Sequence, residues 1–114
     1  MTKFVTKRIY ELADPGDGYR VLVDRLWPRG VSKEKATLDE WAKVIAPSTE
    51  LRIWFSHDPV KFTEFAERYV EEIKQNPETA SIVANWRKYD KVTLLYGARD
   101  EANNEATVLR EYLS

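Results

Sequence analysis

Arg20-Val21-Leu22-Val23-Asp24-Arg25-Leu26-Trp27-Pro28-Arg29-Gly30 is the stretch on which the fold turns. Its Val21-Leu22-Val23 run is apolar without alternation, the pattern of a strand covered on both faces. Such strands belong to mostly parallel sheets flanked by other layers. Trp27-Pro28-Arg29-Gly30 closes the strand, because Pro28 has no N–H for a ladder and Gly30 frees the backbone. The strand is expected over Arg20–Leu26.

Upstream, Lys3–Leu12 carries the β-prone residues Phe4, Val5, Ile9 and Tyr10, and Asp14-Pro15-Gly16-Asp17-Gly18 reads as a turn. The link between these first two strands is short, so their relative direction stays open, antiparallel included. Downstream, Ser32 is placed to cap a helix over Lys33–Ala46, with Leu38, Trp41 and Ile45 on one side. Pro47 breaks it, and Ser48 caps a turn over Thr49–Phe55. Asp58-Pro59 is a strong helix start. The apolar positions that follow it, Phe62, Phe65, Ala66, Tyr69, Val70 and Ile73, keep helical spacing until Asn76-Pro77. Ala80, Val83, Ala84 and Trp86 line a further helix to about Lys88. Val92–Tyr96 is a buried strand ended by Gly97, and Ala102, Ala106, Leu109 and Leu113 face a closing helix. The expectation is a single α/β domain over 1–114, a small mostly parallel sheet of about three strands packed by four or five helices.

The composition excludes several function classes. The absence of Cys removes disulfides, thiol catalysis and zinc-finger or iron–sulfur ligation, and a single His removes multi-histidine metal sites. No metal and no cofactor is called for, since no phosphate-binding Gly loop, Gly-x-Ser-x-Gly or calcium loop occurs. A net charge of −1 gives no global field toward nucleic acid, which is not expected as a partner. Without a signal peptide or an apolar run long enough to span a bilayer, a cytoplasmic, membrane-free protein is expected. The charge is uneven, however. Residues 20–35 set Arg20, Arg25, Arg29, Lys33 and Lys35 against Asp24 and Glu34, whereas residues 36–114 hold 10 basic and 14 acidic side chains.

That local positive block surrounds the end of the second strand, where open α/β sheets hold their ligands. Arg25 and Arg29 offer planar forks for phosphate or carboxylate, Trp27 a stacking face, and Asp24 a hydrogen-bond or proton acceptor. The competing reading is structural: an Asp24–Arg ion pair with Trp27 plugging the core. In Tyr96-Gly97-Ala98-Arg99-Asp100, Tyr96 and Arg99 share that edge if the two strands are parallel neighbours. Gly97 would then allow close approach of a ligand, while Asp100 or Asn103 caps the last helix. Ser48 reads as a plain cap, with Arg52 one turn on keeping an anion site open. Ser56-His57-Asp58 is no triad, because adjacent residues diverge whereas triad members converge from distant positions. His57 remains a weak candidate because its ordinary titration falls near neutrality. The carboxylates of Glu64, Glu67, Glu71 and Glu72 are assigned to the solvent side of a helix.

The order of several motifs is familiar: Arg20–Gly30, Ala46-Pro47-Ser48, Leu51-Arg52, Trp54-Phe55, His57-Asp58-Pro59, Val92–Tyr96, and Asn104 with Leu109-Arg110-Glu111-Tyr112-Leu113. Over nearly its whole length the chain resembles the YeaO-like branch of the domain-of-unknown-function family 488. The resemblance implies a compact α/β domain of bacterial or archaeal cytoplasm and brings no activity with it. A longer branch of that family carries a Cys where this chain has Tyr96, and a Cys-His pair near Asn104-Glu105. The lost thiol speaks against covalent catalysis here. YeaO-like relatives tend to have His in place of Glu105, which weakens an acid–base role at that position.

Two readings follow. In one, a cleft binds a small anionic or nucleotide-like ligand through Arg25, Arg29, Arg52 and Arg99, walled by Trp27 and Tyr96, with Asp24 orienting an arginine or accepting a proton. In the other, the same Arg/Trp patch meets a protein or a nucleic acid without catalysis.

Overall fold

The computed structural model describes residues 1–114. Four strands, β1 (Lys3–Arg8), β2 (Tyr19–Leu22), β3 (Glu40–Trp41) and β4 (Lys91–Tyr96), form one sheet in the order β1-β4-β2-β3. Every neighbouring pair is parallel. The short β3 raises the strand count above the expected three. The first two strands are not partners at all, since β4 lies between them, with Lys3 opposite Lys91 and Tyr19 opposite Val92.

Running β1 and β2 in the same direction requires the chain to return the length of a strand. Residues 9–18 do this without a regular helix, because ten extended residues reach roughly 33 Å and a six-residue strand is only about 20 Å long. The crossing is pinned by Asp17. Its carboxylate accepts from Lys7 Nζ at 3.1 Å, from Arg20 Nη1 and from the Asp14 amide, while its carbonyl accepts from Thr93 Oγ1 at 2.6 Å. Burial pushes the Asp17 carboxyl up, but these donors outweigh it and hold the group below its ordinary 3.8.

The apolar run at 21–23 is covered on both sides. Val21, Val23, Val92, Leu94 and Tyr96 point into the larger core, against α2 (Thr49–Phe55), α3 (Phe62–Gln75), α4 (Thr79–Trp86) and α5 (Glu105–Leu113). Leu22 and Leu95 point the other way, onto Ile9, Trp27, Val31, Leu38 and Ala36 of the one-turn α1 (Lys33–Ala36).

The helix expected over Lys33–Ala46 is not formed. Ser32 caps α1 as expected, but Thr37 ends it in the left-handed region at φ 47°. Asp39 then clasps β2, its amide donating to the Arg20 carbonyl and its carboxylate accepting from the Arg20 amide. Pairing to β2 draws the segment into β3, overriding the helical spacing of Leu38, Trp41 and Ile45. The remaining helices start near their signals. Ser48 caps α2, and Asp58-Pro59 opens a 3₁₀ turn that runs into α3. The cap of α5 is Asn104, not Asp100 or Asn103; Asp100 instead accepts from the amides of Ala102 and Asn103 and holds the preceding turn. Glu72 is not a solvent-side carboxylate either, since it accepts from the Ser48 amide at 2.8 Å and from Ser48 Oγ at 2.5 Å.

Candidate functional site

The strand ends fix where a ligand could sit. β2 leaves toward α1 on the smaller-core face, whereas β4 leaves toward α5 on the larger-core face. Adjacent parallel strands whose connections diverge to opposite faces open a crevice beyond their carboxyl ends, the usual ligand position in such sheets. Asp24 spans this crevice, its Oδ2 accepting from the Gly97 amide at 2.9 Å. A Cβ on Gly97 would lie 3.0 Å from that oxygen and 3.5 Å from Pro28 Cβ, so the close approach that Gly97 permits is made here by Asp24 and Pro28.

Glu105, the first residue of α5, brings a second carboxyl to Asp24. Burial pushes its pKa well above the ordinary 4.5, and hydrogen bonding and charge from the neighbouring Asp24 side chain add to the rise. No basic side chain forms an ion pair with either group. Of the two carboxyls, Glu105 is the one whose ionised form this placement disfavours. Tyr96 is only 2% exposed, and no protein group bonds its hydroxyl. Burial raises its pKa, Glu101, Glu11 and Glu105 add to the rise, and Arg8 opposes it. Trp41 Nε1 donates to the Asp24 carbonyl at 2.8 Å, with Lys43 Nζ 5.1 Å from the indole centroid.

Arg25 lies beside this group but uses its donors on the backbone, Nε on the Pro47 carbonyl at 2.6 Å and Nη2 on the Ala46 carbonyl at 3.2 Å. It thereby holds the turn that carries Ser48. The Tyr69 hydroxyl, fully buried behind it, donates to the Ile45 carbonyl at 2.7 Å. Trp27 likewise gives its indole N–H to the Val31 carbonyl at 2.7 Å and packs edge-on to Trp41. Arg29, Arg52 and Arg99 are exposed, and none forms an ion pair. Arg29 belongs to the loop after β2, fixed where the Tyr10 hydroxyl donates to its carbonyl, and Arg99 to the loop after β4. Arg52 sits on α2. His57 is exposed just beyond α2, at φ 57°.

The structure thus brings Asp24 and Tyr96 to one edge, puts Arg29 and Arg99 on its two flanking loops, and spends much of Arg25 and Trp27 on local architecture. Glu105 and Trp41 are the residues that sequence reasoning did not select. An acidic residue directly after an N-cap is ordinary helix chemistry, so nothing local marks Glu105. Trp41 fitted a helix that does not form.

A family model described as the inactive DUF488-N3 subclade matches residues 3–114. The chain belongs to this family. Among similar proteins, the uncharacterised protein YeaO of Escherichia coli K12 is 46% identical over 107 residues, covering 94% of this chain and 93% of the relative. The uncharacterised protein Rv3073c of Mycobacterium tuberculosis H37Rv is 41% identical over 116 residues, covering 99% and 95%. No solved structure is a significant match to the chain. In this DUF488-N3 domain two open grooves lie away from the strand ends, one of about 730 Å³ between α3 and α5 and one of about 610 Å³ beside α4. No helix is long and apolar enough to cross a membrane.

Proposed function

We propose that this domain binds a small nucleotide-like ligand at the β2–β4 strand ends without transforming it. The observation that carries the reading is the Asp24–Glu105 carboxyl pair, held without a cationic partner where connections diverge. Glu105, whose protonated form is favoured by burial, can donate where Asp24 and its own carbonyl oxygen accept, which suits ribose hydroxyls or an exocyclic amine. The free guanidiniums of Arg29 and Arg99 on the flanking loops suit a phosphate, and the half-exposed Trp41 suits a ring. The description of the subclade as inactive supports binding over turnover. The patch reading, in which Arg25 and Trp27 meet a macromolecule, is less favoured because both give donors to backbone carbonyls.

The test is calorimetric titration of AMP, adenosine and inorganic phosphate into wild type, Arg29→Ala and Asp24→Asn. AMP should bind wild type and lose about tenfold in affinity, roughly 1.4 kcal/mol, with either substitution. Adenosine should lose affinity with Asp24→Asn alone. A wild type that takes neither nucleotide nor nucleoside sinks the reading.

A further inference from the structure

β1 is an edge strand, and its open side is accounted for residue by residue. The amides of Lys3 and Ile9 donate to the carbonyls of Asp90 and Tyr96 on the β4 side. With the parallel register, this directs the backbone groups of Lys3, Val5, Lys7 and Ile9 toward β4 and those of Phe4, Thr6 and Arg8 outward. The outward groups of Arg8 are already satisfied, its amide by Glu11 Oε2 and its carbonyl by the Glu11 amide. Those of Phe4 and Thr6 have no protein partner. Four backbone hydrogen-bonding groups are thus presented along a regular strand with no proline or bulge to block them.

The charge around this edge selects its occupant. The strand reads Lys3-Phe4-Val5-Thr6-Lys7-Arg8, with no acidic residue; Lys7 is held by Asp17 and Arg8 by the carbonyls of Gly97 and Ala98, which leaves Lys3 as the cation free to meet a carboxylate. Lys3 is exposed, and the Arg87 guanidinium lies 5.4 Å from the Phe4 ring centroid. A second copy paired antiparallel about Val5 would set Lys3 opposite Lys7, whose ammonium already pairs with Asp17 at 3.1 Å, and so would bring Lys3 no carboxylate. We propose that the β1 edge receives an extended acidic segment of a partner protein as a fifth strand, bonded to the backbone of Phe4 and Thr6 with a carboxylate beside Lys3. This is strand addition, in which main-chain bonds supply affinity and side chains set preference. It is independent of the strand-end site.

Thr6→Pro provides the discriminating variant. The N–H it removes points outward, so the ladder to β4 is kept, and proline is tolerated on edge strands in that orientation. A fluorescein-labelled pentapeptide Glu-Val-Thr-Val-Glu, followed by anisotropy, should bind wild type at least tenfold more tightly than Lys-Val-Thr-Val-Lys. It should lose about tenfold on Thr6→Pro. In wild type, amide hydrogen exchange at Phe4 and Thr6 should slow when the acidic peptide is added, a readout that serves even if the proline variant fails to fold. Absence of peptide binding, or binding with Phe4 and Thr6 exchange unchanged, overturns the proposal. So does a wild-type dimer that Thr6→Pro dissolves, which would make a second copy the occupant.

Discussion

Glu105 has the Asp24 carboxyl beside it and no ion-pair partner, and this has a thermodynamic consequence. Its proton is held more tightly in the folded chain than in the unfolded one, so it supports the fold fully below its ordinary 4.5 and stops doing so as pH rises through the raised value. Each tenfold difference in proton affinity is worth about 1.4 kcal/mol. Glu105→Gln keeps a donor toward Asp24 and cannot ionise. The variant should therefore melt at a higher temperature than wild type above pH 6, with the gap closing as pH falls below 4.5. Paired thermal denaturations from pH 4 to 8 measure this, and a gap that does not change with pH would show that the pair does not share a proton. Asp17 titrates in the opposite sense, supporting the fold above its ordinary 3.8 and losing that support as pH falls through its depressed value. It is present in both proteins and cancels in the comparison. Little of this was legible in the sequence. Asp24 stood out because it follows an apolar run, but a single Glu at a helix start has no signature until the fold brings it 81 positions back to Asp24.

At the scale of elements, signals carried by neighbouring residues were legible and those carried by distant pairing were not. Ser32, Ser48 and Asp58-Pro59 mark their helix starts because a cap needs only an oxygen and an amide two or three residues on. α3 was legible because its apolar positions repeat along fourteen residues. β3 was not, because the Asp39–Arg20 clasp creates it and no local pattern at 38–45 distinguishes it from a helix. The crossover from β1 to β2 is of the same kind: its composition reads as a turn, while its role as a parallel return depends on Asp17 reaching Arg20, Lys7 and Thr93. Gly18 ends that crossover at φ 66°, ψ −135°, a conformation nearly confined to glycine, and a Cβ there would fall 2.4 Å from the Lys91 carbonyl oxygen. Gly18→Ala must displace the strand start or strain it. It should cost about 2–3 kcal/mol in urea unfolding, against about 1 kcal/mol for Gly30→Ala, where the added Cβ meets nothing within 4 Å and only the strain of φ 73° remains. Equal losses at the two positions would mean that backbone conformation alone, not the contact with β4, sets the cost.

For the molecule as a whole, the α/β class followed from Val21-Leu22-Val23 and Val92–Tyr96, since strands apolar on both faces need cover on both. What covers them is unequal. Four helices lie over one face, while the other has only α1, the crossover and the 24–31 loop around Leu22 and Leu95. The smaller cluster nonetheless shares its strands with the larger one. Val21 and Leu22, like Leu94 and Leu95, are neighbours that point to opposite faces. A cavity on the thin side must therefore loosen the strands on which the thick side packs. Leu95→Ala should cost about 2–5 kcal/mol, comparable with Leu94→Ala, because both side chains are fully buried. Its urea unfolding should remain one transition, with tryptophan fluorescence and far-ultraviolet dichroism superimposed. Trp27 and Trp41 report from the thin side and Trp86 from the thick core, so separate unfolding of the thin face would appear as an early fluorescence step with the helical signal intact. Such a step would make that face, and the candidate site at its edge, an independently opening unit. Coincident curves would tie the position of Asp24 to the stability of the whole sheet.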